Sequence, residues 1–318
     1  LLARVFAEPE LCDSPPVLVD VGAAGGVHPA WRCIARHSIG VGFEPDPREA
    51  APLGAAQRMF KRWIFCPGLA VPTTPPGGRT TLYLTRSPFC SSTLRPQPDK
   101  VGEWAFAEFF DVVETREFQS VSIKEALAVQ GVSRIDWLKC DTQGTDLRLF
   151  LSLPDEWREQ LLAVEFEPGI IDVYEDEDKL ADVLAAMARE PFWLSGLQVG
   201  QTPRGRPDLL GAQLGAGMIR WCRRLGPGAP AWANVRYLRE VTMRTEALDR
   251  RAHLLSWVFA TITGQHTYAL TWAAAGMHRY GGPLFSAMVA SSRRRLRWTM
   301  WRSWPRFLWQ RLTRNLSA

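Results

Sequence analysis

The six cysteines of this chain include no C-x-x-C pair and its five histidines occur singly, so neither the spacing of a zinc site nor a disulfide framework is present. Cys12, Cys33, Cys66, Cys90, Cys140 and Cys222 read instead as thiols of a reducing, cytoplasmic compartment, and no metal site is expected. No uncharged apolar run reaches the roughly 18 residues of a membrane-spanning helix. The best stretch, Leu254 to Thr263, is short and holds Ser and Thr. No recognised RNA-binding module accompanies the arginines, so a specific nucleic-acid partner is not expected. The first residue is Leu1 rather than methionine, which leaves room for a preceding targeting segment.

What is present is a globular composition, 46% apolar and 22% charged, long enough at 318 residues for an α/β domain with an appendage. Charge divides the chain. Residues 1–230 carry 24 Lys+Arg against 30 Asp+Glu, whereas residues 231–318 carry 14 against 3. A boundary is therefore expected near 240, with a domain over 1–240 and a basic, Trp/Arg-rich helical extension over 241–318.

The most informative stretch is Val17 to Gly26, a buried-strand pattern that runs through Asp20 into Gly22, Gly25 and Gly26. Glycines allow a sharp turn and close backbone approach to a ligand, and Pro29 suits the first turn of a helix expected over Pro29 to Arg36. A second apolar run, Ile39 to Phe43, ends in Glu44, about 20 residues beyond the turn, where a carboxylate grips a ribose diol in doubly wound sheets. A dinucleotide brings an anionic pyrophosphate to such a turn, and its fingerprint keeps acids away. Asp20 at the strand end suits a cationic ligand such as S-adenosylmethionine. The plainer alternative is a turn that only packs a helix on a strand.

Further strands are expected at Arg62–Cys66, Thr80–Thr85, Phe118–Ile123, Ile135–Asp141 and Leu161–Glu167. Helices are expected from the Ser122 cap to Gln130, over Asp146–Leu151 and over the amphipathic stretch Asp176–Arg189. Phe192–Val199 and Trp232–Leu238 read as an antiparallel hairpin around a Gly/Pro/Arg-rich excursion. The irregular segment Ser87 to Pro98 reads as a lid or acceptor-binding insert, or else as a plain connector. Alternating strands and helices over 17–190 predict an α/β fold, a doubly wound, mostly parallel sheet. Asp20, Glu44, Asp141 and Glu165 would then converge at the carboxyl ends of its strands.

Four stretches carry a resemblance to a known family: Leu18–Gly26, Gly42–Pro47, Cys90–Ser92 and Asp136–Asp146, the last containing Lys139-x-Asp141-x-x-Gly144, with Ala163–Glu167 fitting the strand that follows. In order and spacing the chain resembles the FkbM-type S-adenosylmethionine-dependent methyltransferases over roughly residues 15–240. The resemblance implies a class I, Rossmann-like methyltransferase fold and methyl transfer to a hydroxyl of a sugar, glycan or secondary-metabolite acceptor. It implies that Asp20, Gly22, Ala23, Gly25 and Gly26 cradle the methionine end of the cofactor. Glu44, with Asp46 on the loop beside it, would bind the ribose, and Asp141 would stand at the junction with the acceptor. Two departures bear on the acceptor pocket: Asp146 stands where the family often has Glu, and Asp172 to Glu177 is unusually acidic.

A neutral alcohol is a poor nucleophile, so a general base is wanted. Asp141 is the first choice, with Lys139 and Glu165 in the catalytic set and Glu167 and His28 behind them. Lys139 shares a strand face with Asp141, so a purely structural Lys139–Asp141 pair is the competing reading. A divalent ion between Asp141 and Glu165 is conceivable, but the spacing does not demand one. A noncatalytic cofactor-binding or scaffold module is the alternative function. An RNA methyltransferase is a third, resting on the basic tail alone.

In the extension, residues 241–280 read as a helical pair divided by Gly264, packed on the domain or on a second copy in a homo-oligomer. Arg293 to Arg314 holds eight arginines and no acid, interleaved with Trp298, Trp301, Trp304 and Trp309. On a helical wheel Trp301, Trp304, Leu308, Leu312 and Leu316 fall opposite Arg302, Arg306 and Arg314, with a kink or new start expected at Pro305. That pattern suits peripheral contact of residues 284–318 with an anionic membrane surface, at the inner face of the membrane, and the competing reading is a disordered or domain-docked basic tail.

Overall fold

The computed structural model describes residues 1–240 and 248–314. Residue contacts divide the chain into two compact units, Pro16–Glu240 and a second formed by Leu1–Pro15 with Val241–Ala318. The first fifteen residues, expected in the domain that ends at 240, thus belong with the extension. Arg250 pairs with Glu8 and Glu10, and the Arg251 guanidinium donates to the carbonyls of Ser14 and Pro15. Pairing across more than 230 residues leaves no local signal in the sequence.

The larger unit contains ten strands: β1 Val17–Val21, β2 Ile39–Phe43, β3 Arg62–Cys66, β4 Leu69–Ala70, β5 Arg79–Thr85, β6 Val112–Val121, β7 Trp137–Cys140, β8 Ala163–Phe166, β9 Phe192–Thr202 and β10 Ala229–Arg239. Seven of them form the central sheet in the order β3-β2-β1-β7-β8-β10-β9. The first five run parallel, and β10 and β9 close the edge antiparallel. This is an α/β fold with a mostly parallel central sheet flanked by helices. Every residue of β1 and β8 is buried, as expected of parallel strands covered on both faces. Strand order reverses between β1 and β7, so a ligand crevice is expected beyond their carboxyl ends.

Three expectations are corrected. The helix expected over Pro29 to Arg36 is two 3-10 turns, Pro29–Trp31 and Ala35–His37. Trp31 ends the first turn, Ile34 immediately precedes the second, and both are fully buried. β5 and β6 do not extend the main sheet; they pair antiparallel and, with β4, make a separate three-stranded sheet. The amphipathic helix is shorter than its sequence pattern and spans Leu180–Met187.

Other elements follow their local chemistry. Ser122 caps the helix Ile123–Val129, accepting from the Glu125 N–H while the Glu125 carboxylate accepts the Ser122 N–H. The hairpin β9–β10 is longer than expected, and its excursion carries the helices Pro207–Gln213 and Ala216–Leu225.

In the smaller unit, Asp249 caps the helix Arg250–Ile262, which a turn at Gly264 separates from His266–Tyr280. His253 is a packing residue, its ring edge-on to Trp272 and Tyr280. The last helix, Gly282–Arg314, runs through Pro305, so no new helix starts there. Leu284, Phe285, Met288 and Ser292 are buried, and Ser292 accepts a hydrogen bond from the Trp257 indole at 3.0 Å. Only from Arg293 onward does the helix turn outward, with Trp298, Trp301 and Trp304 exposed. Leu308, Leu312, Leu316, Arg306 and Arg314 of the helical wheel, and Trp309, have side chains outside the described residues. No helix among the described residues is long and apolar enough to cross a membrane.

Candidate functional site

The turn after β1 is fixed by close packing. Gly22 and Ala23 both donate their N–H to the Phe43 carbonyl at 3.0 Å, which ties the turn to the end of β2. Gly22 has φ +80°, and a Cβ there would lie 2.0 Å from the Asp141 carbonyl oxygen, so only glycine fits where β1 and β7 end side by side. Beyond these ends opens a cavity of about 330 Å3. Gly22, Glu44, Asp46 and Asp141 line it, joined by Gln143 and Glu167.

Glu44 is nearly buried, and one carboxylate oxygen accepts the Asp46 N–H at 2.8 Å. Burial pushes its carboxyl up to about 7, with the neighbouring acids Asp46, Glu49 and Asp141 adding to the effect and the backbone hydrogen bond opposing it. Asp46 lines the same cavity, but its carboxylate is committed to the Arg48 guanidinium, which bonds both oxygens.

Asp20, Lys139, Glu165 and Arg236 do not line the cavity; they stand in register across β1, β7, β8 and β10. The row alternates in sign, the arrangement that stabilises directly opposed residues of neighbouring strands. The Lys139 ammonium lies 2.9 Å from Asp20 and 3.6 Å from Asp141. Burial opposes its charge, but Asp20 and Asp141 outweigh burial and hold Lys139 above its ordinary range. The Arg236 guanidinium lies 3.0 Å from Glu165, and His28 lies 3.4 Å from the other oxygen of that carboxylate. Burial alone would raise Glu165, yet His28 and Arg236 bring it down to about 2. A carboxylate so held takes up no proton near neutral pH. Glu165 is thus unsuited to be a base, and it and Asp141 do not share the cavity where a metal would have to sit. Among the described residues no three His, Cys, Asp or Glu are grouped to hold an ion. Asp20 likewise spends its buried carboxylate on Lys139, while Ala23, Gly25 and Gly26 shape the turn without lining the cavity.

Glu167, placed behind Glu165 by the sequence, lines the cavity where Glu165 does not. Period-2 alternation pairs it with Glu165, but β8 ends at Phe166 and the chain swings Glu167 over the strand end into the cavity. Asp146 holds it there. One oxygen of this buried carboxylate accepts the Thr142 N–H and the other accepts the Glu167 N–H, each at 2.8 Å. The loops after β7 and β8 are thereby stapled together, which gives the Asp146 departure a structural role. Burial, the Asp141 charge and a hydrogen bond to Asp141 push the Glu167 carboxyl up to about 8, against the pull of Lys139. Asp141 also accepts from the Gln143 amide at 2.9 Å.

Gln143, Glu167 and Phe89 line a second cavity as well, about 240 Å3 in volume. Its walls include Phe106, Phe110, Tyr174 and Trp232, none of which the sequence singled out. The segment read as a lid contributes Phe89 and Cys90. It is anchored by the Ser92 hydroxyl donating to the Gln143 carbonyl and the Tyr174 hydroxyl donating to the Cys90 carbonyl, both at 2.7 Å. Among the described residues, no Lys, Arg or His lines either cavity.

Compared with known proteins, the chain matches no protein-family model and no curated protein. Function has then to be read from the fold and from these two cavities.

Proposed function

We propose that this protein is an S-adenosylmethionine-dependent O-methyltransferase of the FkbM type that acts on a hydroxyl of a small-molecule or glycan acceptor. The observation that carries the reading is the wall shared by the two cavities. Gln143 and Glu167, beside Asp141, divide a cavity built on a glycine turn and Glu44 from a mostly aromatic one.

The first cavity fits the cofactor by size and by charge. Its volume lies in the ~300–1,000 Å3 range of small-ligand pockets. Four carboxyl groups, those of Glu44, Asp46, Asp141 and Glu167, line it, and among the described residues no basic side chain does. Arg48 neutralises Asp46, and burial keeps Glu44 and Glu167 protonated up to about pH 7 and 8. The negative charge that favours a sulfonium and an ammonium over a pyrophosphate therefore develops as the pH rises through those values. Glu44 would accept hydrogen bonds from the ribose hydroxyls, and the bare Gly22 backbone lets the ligand approach the sheet edge. When bound, S-adenosylmethionine supplies a methyl group made electrophilic by its cationic sulfur. The protein's own tasks are to orient the acceptor oxygen, exclude water and receive the hydroxyl proton. Asp141 and Glu167, which share a hydrogen bond at the wall, receive that proton.

The test is transfer itself. Incubation with methyl-labelled S-adenosylmethionine and a panel of hydroxylated acceptors is expected to label one class of acceptor, with one S-adenosylhomocysteine released per methyl group. Tight cofactor binding without label in any acceptor would favour the noncatalytic module instead.

A further inference from the structure

The second cavity carries information about the acceptor. Its aromatic rings brace one another: Phe106 lies 5.1 Å from Phe110 and 6.1 Å from Trp232 between ring centres, and Phe110 stands edge-on to Tyr174 at 5.7 Å. A braced set of rings offers a preformed apolar slot. At about 240 Å3 the slot is smaller than the ~300–1,000 Å3 pockets of drug-sized ligands, which suits a body of one or two rings.

Polar groups are few and lie at one end. The Glu177 carboxylate on the wall is already occupied, accepting the N–H groups of Val173 at 2.6 Å and Tyr174 at 3.1 Å and pairing with Lys179 at 2.7 Å. Glu167 remains, with Gln143, and both stand at the wall shared with the first cavity. The Gln143 amide donates one N–H to Asp141 and its oxygen accepts from the Tyr174 hydroxyl, leaving a second N–H and a second lone pair. A free sugar would bury several hydroxyls against phenyl rings, at a cost of about 1–3 kcal/mol for each one left without a partner. A phosphorylated or carboxylated acceptor would find no cation among the described lining residues.

We infer that the second cavity takes an uncharged aromatic acceptor of one or two rings, seated with a phenolic hydroxyl against Gln143 and Glu167 and its ring between Phe106, Phe110 and Trp232. This rests on the methyltransferase reading and narrows its acceptor. In the transfer the phenolic O–H bond breaks and its proton passes to the Asp141–Glu167 pair, while the oxygen forms its bond to the methyl carbon as the carbon–sulfur bond breaks.

The test uses the full chain and reads binding without any methyl donor. Saturation-transfer NMR and fluorescence titration with 1-naphthol, 1-naphthyl phosphate and methyl glucoside are expected to show 1-naphthol binding at least tenfold tighter than the other two. Phe106→Leu, which keeps apolar bulk and removes the ring, and Phe109→Ala, at a 47% exposed cavity residue, are expected to weaken 1-naphthol binding at least fivefold without unfolding the protein. Equal or tighter binding of the glucoside or the phosphate would overturn the assignment, as would 1-naphthol binding that both variants leave unchanged. Binding of 1-naphthol without methylation of any acceptor would count against the methyltransferase reading and leave the cavity assignment standing. Methylation of a sugar without 1-naphthol binding would do the reverse.

A separate observation concerns the surface. The helix Ala216–Leu225 exposes Met218 and Trp221, and Leu209 is exposed on the helix before it. Residues 203–228 hold five arginines and a single acid. The last helix repeats this chemistry, exposing Trp298, Met300 and Trp301 among Arg293, Arg294, Arg295, Arg297 and Arg302. Tryptophan among arginines suits the headgroup level of an anionic bilayer, where the charge is complementary and the indole is half immersed. We propose that each segment, within its own unit, docks on such a surface. The full chain is expected to sediment with vesicles containing phosphatidylglycerol and not with phosphatidylcholine vesicles. Trp221→Ala and the double variant Trp298→Ala/Trp301→Ala should each reduce binding severalfold. Equal binding to both vesicle types, no binding, no effect of either variant, or tighter binding to RNA than to anionic vesicles would overturn it.

Discussion

Asp141→Asn is expected to lower the rate of methyl transfer at least about 100-fold, the usual worth of a general base, with cofactor affinity changing far less. Asparagine preserves the shape of the side chain and an oxygen for the Gln143 amide, and removes only the charge. The variant also reports on Glu167. Wild-type activity should rise as the pH climbs through about 8, where Glu167 gives up its proton. Glu167 is raised first by burial and then by Asp141, so removing the Asp141 charge lowers it, and residual activity should extend to lower pH. A near wild-type rate with an unchanged pH profile would make Asp141 structural, a partner of Lys139 only. Glu167→Gln would then be the variant expected to abolish transfer.

Glu44→Ala should weaken S-adenosylmethionine binding by about 2–3 kcal/mol, the cost of removing charge-assisted hydrogen bonds to a ribose diol. Its pH dependence is the more specific signature. Burial raises the Glu44 carboxyl to about 7, so in the free protein it is protonated below that value. Ribose hydroxyls donate best to the ionised form, so wild-type affinity should rise between pH 6 and 8 and level off above. The sign for stability is opposite. A carboxyl raised on folding takes up a proton, so the fold loses stability as pH rises from the ordinary value of 4.5 through about 7. Glu44→Gln should therefore stabilise the free protein at pH 8 while flattening the pH dependence of binding. Calorimetric titration at three pH values, with thermal denaturation alongside, checks both effects.

The parts of the fold with strong local signals were legible in the sequence. Runs of apolar residues ending in Asp20, Glu44 and Asp141 mark β1, β2 and β7, and Ser122 with Glu125 marks a helix start by its capping box. The partners of buried charges were not legible, because they are set by strand register. Asp20, Lys139, Glu165 and Arg236 lie far apart in sequence, and only the pairing of four strands lines them up. Hence Glu165 looked like a cavity acid and is a locked ion pair, while Glu167 looked secondary and faces both cavities. The aromatic slot was hidden for a similar reason. Phe106, Tyr174 and Trp232 come from a loop, an acidic turn and the strand β10, and no single window contains two of them.

The proposed function requires that the cavity over Gly22 and Glu44 bind S-adenosylmethionine. Calorimetric titration of the full wild-type chain with S-adenosylmethionine and, separately, with NADH at pH 8 tests it most directly. Saturable binding of S-adenosylmethionine at one site per chain, at least tenfold tighter than NADH, is the predicted result. NADH binding as tightly or more tightly, or no heat with S-adenosylmethionine from a folded protein, would contradict it.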